Sequence, residues 1–191
     1  MRVHLFTSWS TIDEREDDLR AIMDAIKNHG HTLATDCIQA SRELRNNPDV
    51  REDDWVKVYK QNLEDIAKSD VIIAEASSNS FAVGYQVASA IHQKKPILIL
   101  RHAETAGRVY AEGVVDNWVI HQKYGKSPND LEEIIAEFLN DNDIQTKDMR
   151  FNFFIDRPIY NYLRWTSLKT GKTKAEILRE LVEREIDRSS S

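Results

Sequence analysis

Residues 70–86 read Asp70-Val-Ile-Ile-Ala-Glu-Ala-Ser-Ser-Asn-Ser-Phe-Ala-Val-Gly-Tyr-Gln86. Val71 to Ala74 is aliphatic without interruption, and a strand lacking polar alternation is one covered on both faces, as in a parallel sheet. Small hydroxyl and amide residues follow, and the spacing from Phe81 to His92 predicts a helix. Pro96-Ile97-Leu98-Ile99-Leu100 is a second run of the same kind. Working outward, Val3 to Phe6 predicts a strand. Thr11 to Lys27 predicts one helix with Leu19, Ile22, Met23 and Ile26 on one face, a capping box at Thr11 and Glu14, and a stop at Gly30. Thr32 to Thr35 predicts a strand and Arg42 to Asp54 a polar loop or lid. Asp53 to Lys68 predicts a helix with Val56, Tyr59, Leu63 and Ile66 on one face. Trp118 to Ile120 predicts the last strand, before a helix carrying Leu131, Ile134, Ile135, Phe138 and Leu139. Five such units imply an α/β fold, a flavodoxin-like doubly wound parallel sheet of about five strands over residues 1–140.

Composition agrees with a folded chain. Of 191 residues, 41% are apolar, 30% are charged, and glycine and proline number six and four, which excludes collagenous and disordered classes. No apolar run approaches a bilayer span and no leader is evident, so a soluble cytoplasmic protein without membrane contact is expected. The single cysteine, Cys37, allows no internal disulfide and has no partner at metal-ligand spacing, so neither metal nor cofactor is expected. Charge is uneven. Residues 1–144 carry 16 Lys and Arg against 25 Asp and Glu, a balance of −9, whereas residues 145–191 carry 10 against 7, a balance of +3. An acidic body repels a polyanion that a basic tail can hold locally.

Ligands of doubly wound sheets sit beyond the carboxyl ends of the strands. That nominates Thr7 to Ser10 with Ser8 and Ser10, Thr35 to Cys37 with Asp36, and Ala76 to Ser80 with Ser77, Ser78 and Ser80. The third loop runs into a helix start, where free N–H groups and hydroxyls suit a phosphate. The same serines also suit ordinary capping of the next helix by Ser78 or Ser80.

The stretch from Asp70 through Gly84-Tyr85-Gln86 to Ile91, with Lys95-Pro96-Ile-Leu-Ile-Leu, resembles the nucleoside 2-deoxyribosyltransferase superfamily, and within it the 2'-deoxynucleoside 5'-monophosphate N-glycosidase branch. The resemblance implies cleavage or exchange of an N-glycosidic bond by a Glu after Gly-Tyr, assisted by an Asp on the preceding helix, with a serine on the 5'-phosphate. Carried across, the phosphate serine is Ser80, the first-loop serine is Ser8, and Gly84 belongs to the motif. The nucleophile position holds Gln86 and the Asp position Asn62. Ser10 stands where the branch has an Arg, and Ala111 where a neighbouring subunit's Ser serves the phosphate, with Arg108 near enough to replace charge. Amides cannot supply the anionic oxygen that retaining glycosyl transfer needs. The resemblance thus implies a nucleoside or nucleotide ligand bound by a degenerate site. The alternative is an active N-glycosidase or deoxyribosyltransferase with a relocated acid, from Asp36, Glu64, Asp65 or, best, Glu75.

Residues 141–148 have the polarity of a linker, and 149–191 predict a second domain. Arg150 to Ile155 alternates as a strand, with Phe151, Phe153 and Ile155 on one side. Pro158 opens a helix ended by Gly171, and Thr173 to Glu176 is a capping box before Ile177, Leu178, Leu181, Val182 and Ile186. One strand and two helices cannot enclose a core alone, so a homodimer or higher even oligomer is expected. The arrangement resembles the ribbon-helix-helix superfamily, which implies duplex DNA as a partner. Arg150, Asn152 and Phe154 would face base edges and Lys172, Thr173 and Lys174 would hold phosphates. The alternatives are a tail that only dimerises, and an interaction protein in which neither half works as in its relatives.

Overall fold

The computed structural model describes residues 1–105, 118–127, 129–143 and 153–189, and the chain divides into two compact units, Met1–Gln145 and Thr146–Ser191. In the first, β1 (Arg2–Phe6), β2 (Thr32–Leu33), β3 (Val71–Glu75), β4 (Ile97–His102) and β5 (Val119–Tyr124) form one sheet in the order β2-β1-β3-β4-β5. All four pairings are parallel, with Leu5 opposite Ile73 and Ile73 opposite Leu98. This is the flavodoxin-like doubly wound order, with its switch point between β1 and β3.

Period-two alternation along each strand divides the apolar residues between two cores. Val3, Leu5, Val71, Ile73, Leu98 and Leu100 pack against α2 (Glu16–Asn28) and α6 (Asp130–Asn142). Phe6, Ile72, Ala74, Ile97 and Ile99 pack against α4 (Glu52–Lys68) and α5 (Phe81–His92). The central runs are therefore buried on both faces, which is why they show no polar alternation.

Local structure departs from expectation in four places. The first helix is two: α1 (Trp9–Glu14) starts at Ser8, whose hydroxyl accepts from the Thr11 N–H at 3.1 Å, and Arg15 at φ −140° separates it from α2. The expected Thr11–Glu14 box is thereby replaced by a Ser8 cap. Secondly, Cys37–Arg45 is a helix, α3, that takes in the first four residues of the loop expected over Arg42 to Asp54. Asp36 caps it by accepting from Ile38 and Gln39 at 3.0 and 2.9 Å, and Arg42 and Arg45 tie it to Glu16 and Asp13. Thirdly, β2 is a two-residue strand, continued only by the Ala34 N–H bonded to the Val3 carbonyl. Fourthly, of the α4 face only Ile66 is fully buried, while Val56 and Tyr59 are exposed.

The second unit holds α7 (Arg157–Thr170) and α8 (Lys174–Ser189). Asp156 caps α7 through the Ile159 N–H at 3.0 Å, and Gly171 ends it at φ +72°, a conformation that favours glycine. Thr173 and Glu176 exchange the capping-box bonds of α8. Residues 153–156 carry no regular structure, Phe154 is fully exposed, and Arg150 and Asn152 lie outside the described residues. The strand expected over Arg150 to Ile155 is therefore not formed at residues 153–155, which have no ladder partner among the described residues. Among the described residues no helix is long and apolar enough to cross a membrane.

Candidate functional site

A cavity of about 630 Å³ opens at the switch point, beyond the ends of β1 and β3. The β1–α1 turn brings Thr7, Ser8 and Ser10 to it. The start of α5 brings Ser80, and nearly two turns further on Gln86 follows with Tyr85. From α4 come Trp55, Val58, Tyr59 and Asn62, whose spacing of three, four and seven residues aligns them on one helix face. Five of the sequence-nominated residues therefore meet in one place: Ser8, Ser10, Asn62, Ser80 and Gln86. Among its described lining residues there is no Asp, Glu, Lys or Arg.

Polarity comes from hydroxyls, amides and one helix start. The Ser80 hydroxyl caps α5 by accepting from the Val83 N–H at 3.3 Å, while the earlier N–H groups of a first turn have no intrahelical acceptor. The walls are aromatic. The Trp9 and Trp55 rings lie 4.7 Å apart, Tyr59 and Tyr85 5.7 Å apart, and the Arg45 guanidinium stands 5.6 Å from the Trp9 ring. All four rings are partly open to solvent. Trp9 and Tyr85 lie in stretches the sequence nominates, whereas Trp55 and Tyr59 do not. Trp55, Tyr59 and Asn62 at helical spacing were the available signal, obscured because Tyr59 also fits a core stripe.

A second chamber, of about 100 Å³, adjoins the first and shares Thr7, Trp9, Val58, Asn62 and Gln86 with it. It contains His4, a residue with no place in the sequence reading of the site. Burial pushes the imidazole down to about 4; the charge of Asp65 opposes this and that of Arg2 assists it. His4 is thus neutral near pH 7. Cys37 also lines the chamber, its thiol pushed up to about 12 by burial and then by the Asp36 charge.

Glu75 lines neither cavity. Its side chain is fully buried on the opposite face of the sheet. The Tyr124 hydroxyl lies 3.0 Å from the carboxylate and the Thr7 hydroxyl 3.2 Å from it. Ser77 bonds it through its hydroxyl and its N–H, and accepts the His102 N–H at 2.7 Å. Burial, then the charges of Glu75 and Asp18, hold the Tyr124 phenol far above its usual range. Ser77 is therefore part of a buried lattice, and Ser78 and Gly84 line neither cavity. Asp36 lies in a separate hollow with Arg20 and Arg42. Asp65 is held by Arg2 at 2.9 Å and Thr35 at 2.7 Å, and Glu64 pairs with Lys68. Arg108 and Ala111 lie outside the described residues.

No family model matches the chain. A 5-hydroxymethyl-dUMP N-hydrolase of Esox lucius is 26% identical over 140 residues, which is 71% of this chain and 95% of the relative. Among solved structures, a CMP N-glycosidase of Clostridium botulinum superposes with a TM-score of 0.50 at 16% identity, over 71% of this chain and 99% of that one. The solved structure shares the fold of the first unit, and the hydrolase is matched over nearly its whole length.

Proposed function

We propose that the first unit binds a nucleoside 5'-monophosphate without cleaving its N-glycosidic bond, and that the second pairs two chains and gives the pair an affinity for duplex DNA. One observation carries the first part. Ser8 and Ser80, on the phosphate side of the resemblance, share a cavity with Asn62 and Gln86, its catalytic positions, and no carboxylate is found among the described lining residues. The hydroxyls and the α5 start suit an anion, and the aromatic walls suit a sugar and base. Gln86 and Asn62 keep the shape of the acids they replace, yet a neutral amide neither attacks an anomeric carbon nor stabilises an oxocarbenium-like transition state. The acids proposed as substitutes have other duties: Glu75 in the buried lattice, Asp36 as a helix cap, Asp65 with Arg2 and Thr35.

The second unit supports pairing through what it leaves uncovered. Ile159, Tyr162, Trp165 and Leu168 recur every third residue along α7 and are exposed, as are Val182 and Ile186 on α8, while among the described residues of this unit only Leu163 and Ile177 are buried. Its phosphate-holding groups are partly occupied. Lys172 pairs with Glu180, the Thr173 N–H donates to Glu176 at 2.7 Å, and the Lys174 ammonium lies 4.3 Å from the Tyr160 ring centroid. DNA must displace these contacts, so its binding is expected to be weak and strongly salt-dependent.

The experiment incubates the full chain with a panel of nucleoside 5'-monophosphates and records thermal stabilisation and free base together. Stabilisation without base is expected. Sustained base release by the unmodified protein would overturn the reading. Sedimentation tests the second part: a dimer that binds labelled duplex at low salt is expected, and a stable monomer would remove it.

A further inference from the structure

The carboxylate of Glu75 gathers chain ends that the sheet leaves apart. Glu75 is the last residue of β3 and is fully buried. Four donors reach it: the hydroxyl of Tyr124 at the end of β5, the hydroxyl of Thr7 just past the end of β1, and the hydroxyl and N–H of Ser77 in the turn after β3. Ser77 in turn accepts the N–H of His102, the last residue of β4. The His102 ring packs edge-on to Tyr124, in space that a side chain at position 125 would fill and Gly125 leaves open. An ionised carboxylate offers about four acceptor sites and no donor, so this set fills it. Four of the five strands thus end on one buried group.

Two of those ends carry the outer cavity. Thr7 immediately precedes Ser8, and Ser77 stands three residues before Ser80, so each hydroxyl offered to an anion follows closely on a residue bonded to Glu75. The ladder between β1 and β3 stops at Phe6 opposite Ala74. Beyond that pair, the bonds from Thr7 and Ser77 to Glu75 continue the link between the two turns. Hydrogen bonds to an ionised acceptor are stronger than neutral ones, and loops ordered before a ligand arrives bind it at lower entropic cost.

We infer that Glu75 is a positioning residue for anion binding: without touching the ligand, it holds the Ser8 and Ser80 turns in register with each other, and it acts on the phosphate part of the affinity rather than the nucleoside part. This deepens the nucleotide-binding reading and rests on it.

The test compares dCMP, dTMP, dAMP and dGMP with their parent deoxynucleosides by calorimetric titration of the full chain. Thr7→Val keeps the volume and deletes the hydroxyl that reaches the carboxylate. It should weaken monophosphate binding by about tenfold and change nucleoside binding by less than about twofold. Ser77→Ala should do the same, and Thr7→Ser should retain most of the affinity that Thr7→Val loses. Both ties end on one carboxylate, so cutting the second after the first should add little, well short of the roughly hundredfold that independent effects would give. Ile135→Val serves as the comparison. It loosens the core under α6 without touching either turn, and should lower the urea midpoint while monophosphate binding holds. Equal losses for nucleosides and monophosphates, effects that multiply, or a like loss in Ile135→Val would make Glu75 a stabilising group alone and overturn the inference, with the nucleotide reading intact. Should Ser77→Ala fail to fold, Thr7→Val decides by itself, and full monophosphate affinity in that variant overturns the inference. If the unmodified protein binds neither monophosphates nor nucleosides, the nucleotide reading falls and takes this inference with it.

Discussion

On the α2 side of the sheet, the carboxylate of Glu75 is surrounded by donors from the chain itself: Tyr124, Thr7 and Ser77. On the other side, the imidazole of His4, the hydroxyl of Ser41 and the amide oxygen of Gln86 have no hydrogen-bond partner among the described residues. Both sets are buried, so exposure does not separate them. Completeness does. A polar group whose bonds all close within the chain holds strands and loops in place, and a buried bond left unmade is costly. The carboxylate of Glu75 is thus tied into the chain, and these three neutral groups are not.

The largest expected effect restores what the α4 side lacks. Asn62→Asp together with Gln86→Glu places two carboxylates in the cavity and should raise base release from a bound nucleoside monophosphate by on the order of a thousandfold. Chromatography of the free base measures it. No increase, with ligand stabilisation retained, would mean that the cavity does not hold the glycosidic bond near residue 86.

The next effect breaks the α2 side. Glu75→Ala strips the acceptor from Tyr124 and Ser77 and leaves buried donors unpaired, a loss on the order of 4 kcal/mol of stability. The urea midpoint should fall accordingly. If the variant unfolded at the same midpoint and only its ligand chemistry changed, Glu75 would belong to the site after all.

These two sides were unequally legible. The sheet could be read because β3 and β4 are buried on both faces, which writes their position into composition alone. The positions of Ser8, Asn62, Ser80 and Gln86 could be read because a resemblance carried them. α3 could not, because its sequence is mostly polar and the residues it packs and pairs with, Glu16 and Asp13, lie 26 and 32 positions earlier, where a local window does not reach. Asp36 looked like a ligand group for the same reason: a loop carboxylate and a helix cap are alike until the helix is known. His4 was invisible. A histidine inside a strand has no spacing signal, and its meaning comes only from the partners it lacks.

The third effect is a dependence on pH that His4 imposes. Its folded value of about 4 lies below the ordinary 6.5, so the unfolded chain binds the proton more tightly than the folded one. Stability from this residue is complete above about pH 6.5, declines as the pH falls toward 4, and declines no further once both states are protonated. The total is on the order of 3 kcal/mol. Other groups titrate in this range, so the quantity to measure is the difference in unfolding free energy between the protein and its His4→Phe variant across pH 4–7. That difference should change by most of this amount, with the variant gaining relative stability as the pH falls. A difference independent of pH would mean that His4 reaches solvent, and the contrast between the two sides would weaken.

The smallest effect separates two duties of a single hydroxyl. Ser80 caps α5 through the Val83 N–H and also lines the outer cavity. Ser80→Ala should therefore cost about 1 kcal/mol of stability, the usual value of a lost cap. If the hydroxyl also donates to a bound phosphate, nucleotide affinity should fall by about tenfold through loss of a charge-assisted hydrogen bond. Ser80→Asp splits the two. Aspartate caps a helix as well as serine does, so stability should be kept, but its charge faces that of the phosphate and binding should be lost. Calorimetric titration set beside thermal unfolding reads both. If Ser80→Asp kept its nucleotide affinity, the phosphate would lie elsewhere, and Ser80 would join Glu75 among the groups whose bonds close within the chain.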